Sequence, residues 1–187
     1  MALLPPPEHH EALEEIEKEA KKKFSAVLPK CSWVKPAQLH LTMHFYGDLK
    51  TSQRERLIKS LDEIAPQIKT PIANPSHLGC FPNPGRPRVL WVGLEPGEPF
   101  SVLSHACEEA TENAQLIREE RPFKAHITLC RIRQPQPLHG FADLLENFFM
   151  RPFQPLPWPQ LVLFDSRLSP QGAEHTPLKT WNLSSGD

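Results

Sequence analysis

The chain has 187 residues, 39% of them hydrophobic and 23% charged, with a formal net charge of −1. That composition suits a soluble globular protein with a substantial core, and it excludes wholesale disorder and a strongly basic protein that coats nucleic acid. The sequence has no run of about 18 apolar residues and no charged region followed by an apolar one, so it predicts a cytoplasmic protein without a membrane span.

The 22 prolines gather between the periodic segments, at 5–7, 82–87 and 152–159, and read as stiff turns. The four cysteines (Cys31, Cys80, Cys107 and Cys130) have neither Cys-x-x-Cys spacing nor a disulfide framework, and read as small core residues.

In chain order, residues 2–4 form the tail of a short strand. Residues 8–24 are strong helix formers with Leu13, Ile16, Ala20 and Phe24 on one face, Pro7 at the start and Lys21, Lys22 and Lys23 at the dipole-favoured end. Residues 39–46 alternate strictly: Leu39, Leu41, Met43 and Phe45 are apolar, while His40, Thr42, His44 and Tyr46 are polar. Such alternation predicts a half-buried strand with the odd positions facing a core. Gly47-Asp48 ends it, and a helix over 51–64 follows, with Leu57, Ile58, Leu61 and Ile64 inward and Pro66 as a stop. Strands over 70–80 and 88–94 flank a proline-rich loop. A helix over 100–117 carries Val102, Leu103, Ala106, Ala110, Leu116 and Ile117 as its apolar side. A strand over 124–133 contains Ala125-His126-Ile127-Thr128-Leu129-Cys130. A short helix over 141–149 and strands over 160–168 and 177–183 complete the core elements. The last pair is joined through Ser169-Pro170-Gln171-Gly172, and residues 184–187 form a frayed tail.

After the opening prolines the order is helix, motif strand, helix and two strands, twice over. This predicts α+β architecture, with the whole of 1–187 as one bilobal domain and the motifs at 40–43 and 126–129. If the two motif strands face each other across a cleft, His40 and His126 converge with Thr42 and Thr128 beside them. Two imidazoles with ordinary pKa near 6.5 can divide acid and base work near neutral pH. The threonine hydroxyls can donate to an oxygen that gains charge in the transition state, and their restricted χ1 preorganises them. In-line attack on a phosphodiester needs such a set and requires neither metal nor cofactor. His40 and His44, four apart, would form a metal pair on a helix, but the period-2 alternation argues against that helix.

The pair His40-Leu41-Thr42-Met43 and His126-Ile127-Thr128-Leu129 resembles the two H-x-T-x motifs of the 2H phosphoesterase superfamily. The flanks Trp33-Val34-Lys35-Pro36, Phe45-x-Gly47-Asp48, Phe81-Pro82, Arg86-Pro87-Arg88-Val89-Leu90-Trp91 and Arg121-Pro122-Phe123-Lys124 resemble those of the LigT-like RNA 2′,3′-cyclic phosphodiesterases, historically called 2′-5′ RNA ligases. The resemblance implies two pseudo-symmetric lobes of mainly antiparallel sheet, helices outside, and one motif strand from each lobe at a central cleft. It implies hydrolysis of RNA 2′,3′-cyclic phosphate ends to 2′-phosphomonoesters; the expected partners are such RNA ends or cyclic nucleotides, and the expected state is a monomer. His126 is then the proton acceptor, His40 the proton donor, and Thr42 and Thr128 bind phosphate. Ligation forming a 2′-5′ bond at the same site, and a non-catalytic protein that binds RNA ends, are the alternatives. The chain departs from the family at position 44, where arginine or lysine is usual, and in its short first strand.

Arg131, five residues after His126, falls on the opposite face of a regular strand, so a structural ion pair is preferred over its role as a substrate-binding residue. Arg118, Arg121, Lys124, Arg131 and Arg133 outnumber Glu119 and Glu120 and can attract RNA phosphates. Phe45, Tyr46, Phe81 and Phe123 read first as core and second as platforms for a base. No spacing assigns a role to His9, His10, His77, His105, His139 or His175.

Overall fold

The computed structural model describes residues 1–28, 30–118, 122–133, 138–169 and 172–185. Arg121, Glu119 and Glu120 of the basic segment, Pro170 and Gln171 of the last hairpin turn, and the end of the tail at 186–187 lie outside the described residues.

Four helices appear among the described residues: α1 (Pro7–Phe24), α2 (Thr51–Ile64), α3 (Glu98–Asn113) and α4 (Phe141–Glu146). α1 starts on Pro7, whose missing N–H costs nothing in a first turn, and ends on its three lysines. Leu13, Ile16, Ala20 and Phe24 are buried, as their spacing predicts. α2 spans the predicted residues and buries Leu57 and Leu61.

α3 differs from expectation in length and in face. It ends at Asn113 because Gln115 takes a left-handed backbone (φ 58°), and Leu116 N–H then closes onto the Thr111 carbonyl at 3.0 Å. The apolar pair Leu116-Ile117 lies past this stop, and Ile117 is exposed. The buried face is Phe100, Leu103, Cys107, Ala110 and Thr111, so Val102 looks out to solvent at 59% exposure.

Nine strands form the sheet among the described residues: β1 (Ala2–Leu3), β2 (Cys31–Trp33), β3 (Leu41–Thr42), β4 (Ile72–Phe81), β5 (Val89–Glu95), β6 (His126–Ile132), β7 (Leu156–Pro157), β8 (Gln160–Ser169) and β9 (Gly172–Asn182). Their order is β7-β4-β5-β6-β3-β1-β8-β9, with β2 also on β6. Every pairing between named strands is antiparallel. The two motif strands are therefore direct neighbours. They join a half built on β4, β5 and β6 to a half built on β3, β1, β8 and β9. The lobes expected on either side of a cleft are the two halves of one sheet, and the cleft lies over their seam.

The expected long strand over 39–46 is regular for only two residues. The N–H groups of Met43 and His44 both donate to the Met1 carbonyl, at 2.9 and 3.2 Å, so two residues stand opposite one as in a bulge. The bulge reverses the alternation. Met43 and His44 are both buried, and Phe45 is 72% exposed instead of facing the core. Gly47, with φ at 63°, then turns the chain toward α2.

At the seam Leu41 pairs with Ile127. Both side chains are fully buried and pack in the same cluster as Leu13 of α1, Leu57 of α2 and Leu103 of α3. The helices thus cover one face of the seam and leave the other to polar side chains. Among the described residues no helix is long and apolar enough to cross a membrane. Truncating the seam, Leu41→Ala, is expected to cost about 2–5 kcal/mol as a cavity opens where the halves meet. Urea denaturation measures this loss, and a cost below about 1 kcal/mol would show that the site can collapse without penalty.

Candidate active site

The register at the seam fixes which polar side chains meet. Because Leu41 lies opposite Ile127 in an antiparallel pair, His40 falls opposite Thr128, and Thr42 opposite His126. All four point away from the helices, since the residues between them point into the core. The two histidines are therefore diagonal neighbours across the seam.

Each imidazole is held by the same local bond. His40 Nδ1 donates to the Gln38 carbonyl at 2.7 Å, and His126 Nδ1 donates to the Lys124 carbonyl at 2.7 Å. A carbonyl only accepts, so Nδ1 carries hydrogen in both rings and Nε2 is left as the working nitrogen. The turn Pro36–Gln38 places the Gln38 carbonyl under His40. The Gln38 side chain ties the same turn to β9, with Nε2 donating to the Ala173 carbonyl at 2.6 Å.

Each ring also meets another ring edge-on. The Phe81 ring stands 4.9 Å from that of His126 at an interplanar angle of 90°, with Trp91 6.0 Å away. Gly79 leaves room for Trp91 to lie across β4, and Lys124 Nζ sits 4.3 Å from the Trp91 ring. The ring of His175 stands 4.9 Å from that of His40 at 77°. Phe164 lies 6.3 Å from His40 and 5.9 Å from His175.

His40, Thr42 and Thr128 line a cleft of about 670 Å³ with Arg131, Phe45 and His175 among the other walls. His126 stands just outside this lining, on the Phe81 and Trp91 side. Lys35, Arg133 and Asp48 complete the charged side chains of the cleft. Arg133 is held in place by its Nε, which donates to Ser32 Oγ at 2.7 Å.

Arg131 corrects the expectation from regular alternation. Leu90 pairs with Cys130 and Trp91 with Thr128, so Leu129 has no opposite on β5. Leu129 and Cys130 are consecutive and both fully buried, and beyond this bulge Arg131 and Arg133 are exposed. The bulge moves Arg131 onto the side of His126 and Thr128. Among the described residues Arg131 forms no ion pair, so the structural ion pair preferred from the sequence is absent there.

His175 was given no role by its spacing, yet it lies in the cleft. Its signal is tertiary, since β9 comes near His40 only once the sheet is assembled. The expected cores at Tyr46 and Phe123 hold, for both pack partly buried against the main cluster. His44 is 5% exposed and stacks on Tyr46 at 4.3 Å, at the floor of the cleft.

Burial pushes the His40 pKa down to about 4, partly offset by the bond to Gln38, with His175 and Arg131 adding to the fall. Burial lowers that of His126 as well, followed by the charges of Lys124 and Arg131. The same cause lowers that of His175. Each ring thus holds a proton less readily than an ordinary imidazole.

A family model described as LigT like Phosphoesterase matches residues 3–91. An RNA 2′,3′-cyclic phosphodiesterase of Aquifex aeolicus is 34% identical over 127 residues, which cover 66% of this chain and 64% of that one. The match thus spans somewhat less than two thirds of that relative. An RNA 2′,3′-cyclic phosphodiesterase of Thermus thermophilus is 30% identical over 164 residues, covering 80% of this chain and 74% of the relative. Among solved structures, TT0787 of Thermus thermophilus superposes with a TM-score of 0.78 at 26% identity, covering 100% of this chain and 97% of that one.

The lowered His40 pKa has a consequence for stability. The unfolded chain takes up a proton at this ring near pH 6.5, whereas the folded chain does so only near pH 4, so acidification across that window favours unfolding. The stability of the wild-type chain relative to His40→Gln is therefore expected to fall between pH 7 and pH 5. Urea denaturation of both proteins at the two pH values measures it, and a pH-independent difference would contradict the depressed pKa.

Proposed function

This chain belongs to the LigT-like phosphoesterases, and we propose that it hydrolyses RNA ending in a 2′,3′-cyclic phosphate to a 2′-phosphomonoester at the cleft over the β3–β6 seam. The observation that carries this reading is the matched pair of imidazoles. Both are locked through Nδ1 and both present a free Nε2, with a threonine hydroxyl opposite each. The names of the Aquifex and Thermus relatives support the substrate class.

In this mechanism His126 Nε2 takes a proton from water as the water oxygen attacks phosphorus. The bond from phosphorus to O3′ breaks, and O3′ takes the proton carried by His40 Nε2. The product keeps its phosphate on O2′. Thr42 and Thr128 donate to the non-bridging oxygens, whose charge grows in the transition state. Arg131 reaches the same oxygens as a charge-assisted donor.

The low proton affinity of His40 in the free cleft fits this order of events. A bound phosphodiester brings a negative charge beside the ring and favours the imidazolium, so the acid is charged when substrate is present. Lys35 and Arg133 extend the positive side of the cleft for neighbouring RNA phosphates, and exposed Phe45 offers a face to a base.

Each of His40→Ala and His126→Ala is expected to lower turnover of a cyclic-phosphate-ended oligoribonucleotide by about 10²–10⁴-fold while leaving the unfolding transition cooperative. The assay is run in the presence of a chelator. Wild-type turnover by the double variant would overturn the reading.

A further inference from the structure

The two histidines share two supports and differ in the chemistry of one of them. Each gives Nδ1 to the carbonyl two residues behind it at 2.7 Å, and each has an aromatic ring edge-on at 4.9 Å. For His126 that ring is Phe81, which cannot titrate. For His40 it is His175, which can. We propose that His175 is a positioning residue that distinguishes the two histidines, so that His40 and His175 share a single proton while His126 titrates independently.

The placement of His175 is built. Its strand partner is Ser166, and Ser166 Oγ lies 2.8 Å from His175 Nδ1, which engages that nitrogen and leaves Nε2 as the other site for a proton. Phe164, two residues before Ser166, packs on both imidazoles and closes the gap between them. The Gln38 side chain anchors β9 at Ala173, while the Gln38 carbonyl holds His40. One residue thus fixes the spacing of the two rings from both sides.

Two imidazolium ions in such contact repel, so a proton on one ring opposes a proton on the other. The other charges facing His40 are Arg131 from β6, the Met1 amino group just before β1, and Lys35, Arg133 and Asp48 around the cleft. Lys35, Arg131 and Arg133 are fixed cations; the Met1 amino group titrates too, pushed down to about 6 by burial, but it donates to the His44 carbonyl at 2.7 Å, whereas the ring in contact with His40 is that of His175. When a phosphate anion binds, the pair takes up one proton and His40 can deliver it. The catalytic meaning of this coupling rests on the acid–base reading above, but the coupling itself is measured without substrate.

The test is an NMR titration of the ring signals of His40, His126 and His175 in the full chain. In the wild-type protein the His40 and His175 curves are expected to be biphasic, each inflecting at the other's midpoint, with a single-step curve for His126. In His175→Phe, which keeps a ring of the kind His126 has, the His40 midpoint is expected to rise by roughly one pH unit, with His126 unmoved. The limb of the kcat/KM–pH profile that belongs to His40 then moves with it. Single-step wild-type curves for His40 and His175, or an unmoved His40 midpoint in a folded His175→Phe, would overturn the proposal. The wild-type curves decide the question even if the variant does not fold. Loss of RNA hydrolysis activity with the coupling intact would count against the functional reading and not against this one.

Discussion

The site depends on the pairing of Leu41 with Ile127. That contact joins the two halves of the sheet, buries both side chains against the helices, and sets the register of the motif strands. A slip of one residue would send every side chain of one motif to the helical face, where a histidine and a threonine would be buried without partners. The apolar positions between the polar ones therefore specify the chemistry as much as the polar ones do. His40 and Thr42 lie outward because Leu41 cannot.

Two bulges then aim the side chains that the regular strands cannot. One lies where Met43 and His44 share the Met1 carbonyl, and it turns Phe45 out into the cleft. The other lies at Leu129 and brings Arg131 and Arg133 to the side of His126 and Thr128. Bulges concentrate next to active sites because one inserted residue re-aims everything after it.

These two features mark the limit of what the residues disclosed on their own. The repeated H-x-T-x strands, the helices over 8–24 and 51–64 and the α+β class were legible, because alternation and helical spacing are local signals. Arg131 and Phe45 were read on the wrong face, because counting by twos assumes an unbroken strand. The end of α3 was missed because a left-handed Gln115 overrules the apolar pair that follows it. His175 carries no local signal, since only the assembled sheet, with Gln38 bound to Ala173, brings β9 against the first motif. Burial, also tertiary, separates the proton affinity of His40 from that of an ordinary imidazole.

The central claim is that water attacks a cyclic phosphate at this seam and that O3′ leaves. Turnover of a cyclic-phosphate-ended oligoribonucleotide in ¹⁸O-water, followed by mass analysis of the product, tests it most directly. The account predicts one ¹⁸O per turnover in a product whose phosphate stays on O2′. A 3′-phosphate product, or product formed without incorporated ¹⁸O, would contradict it.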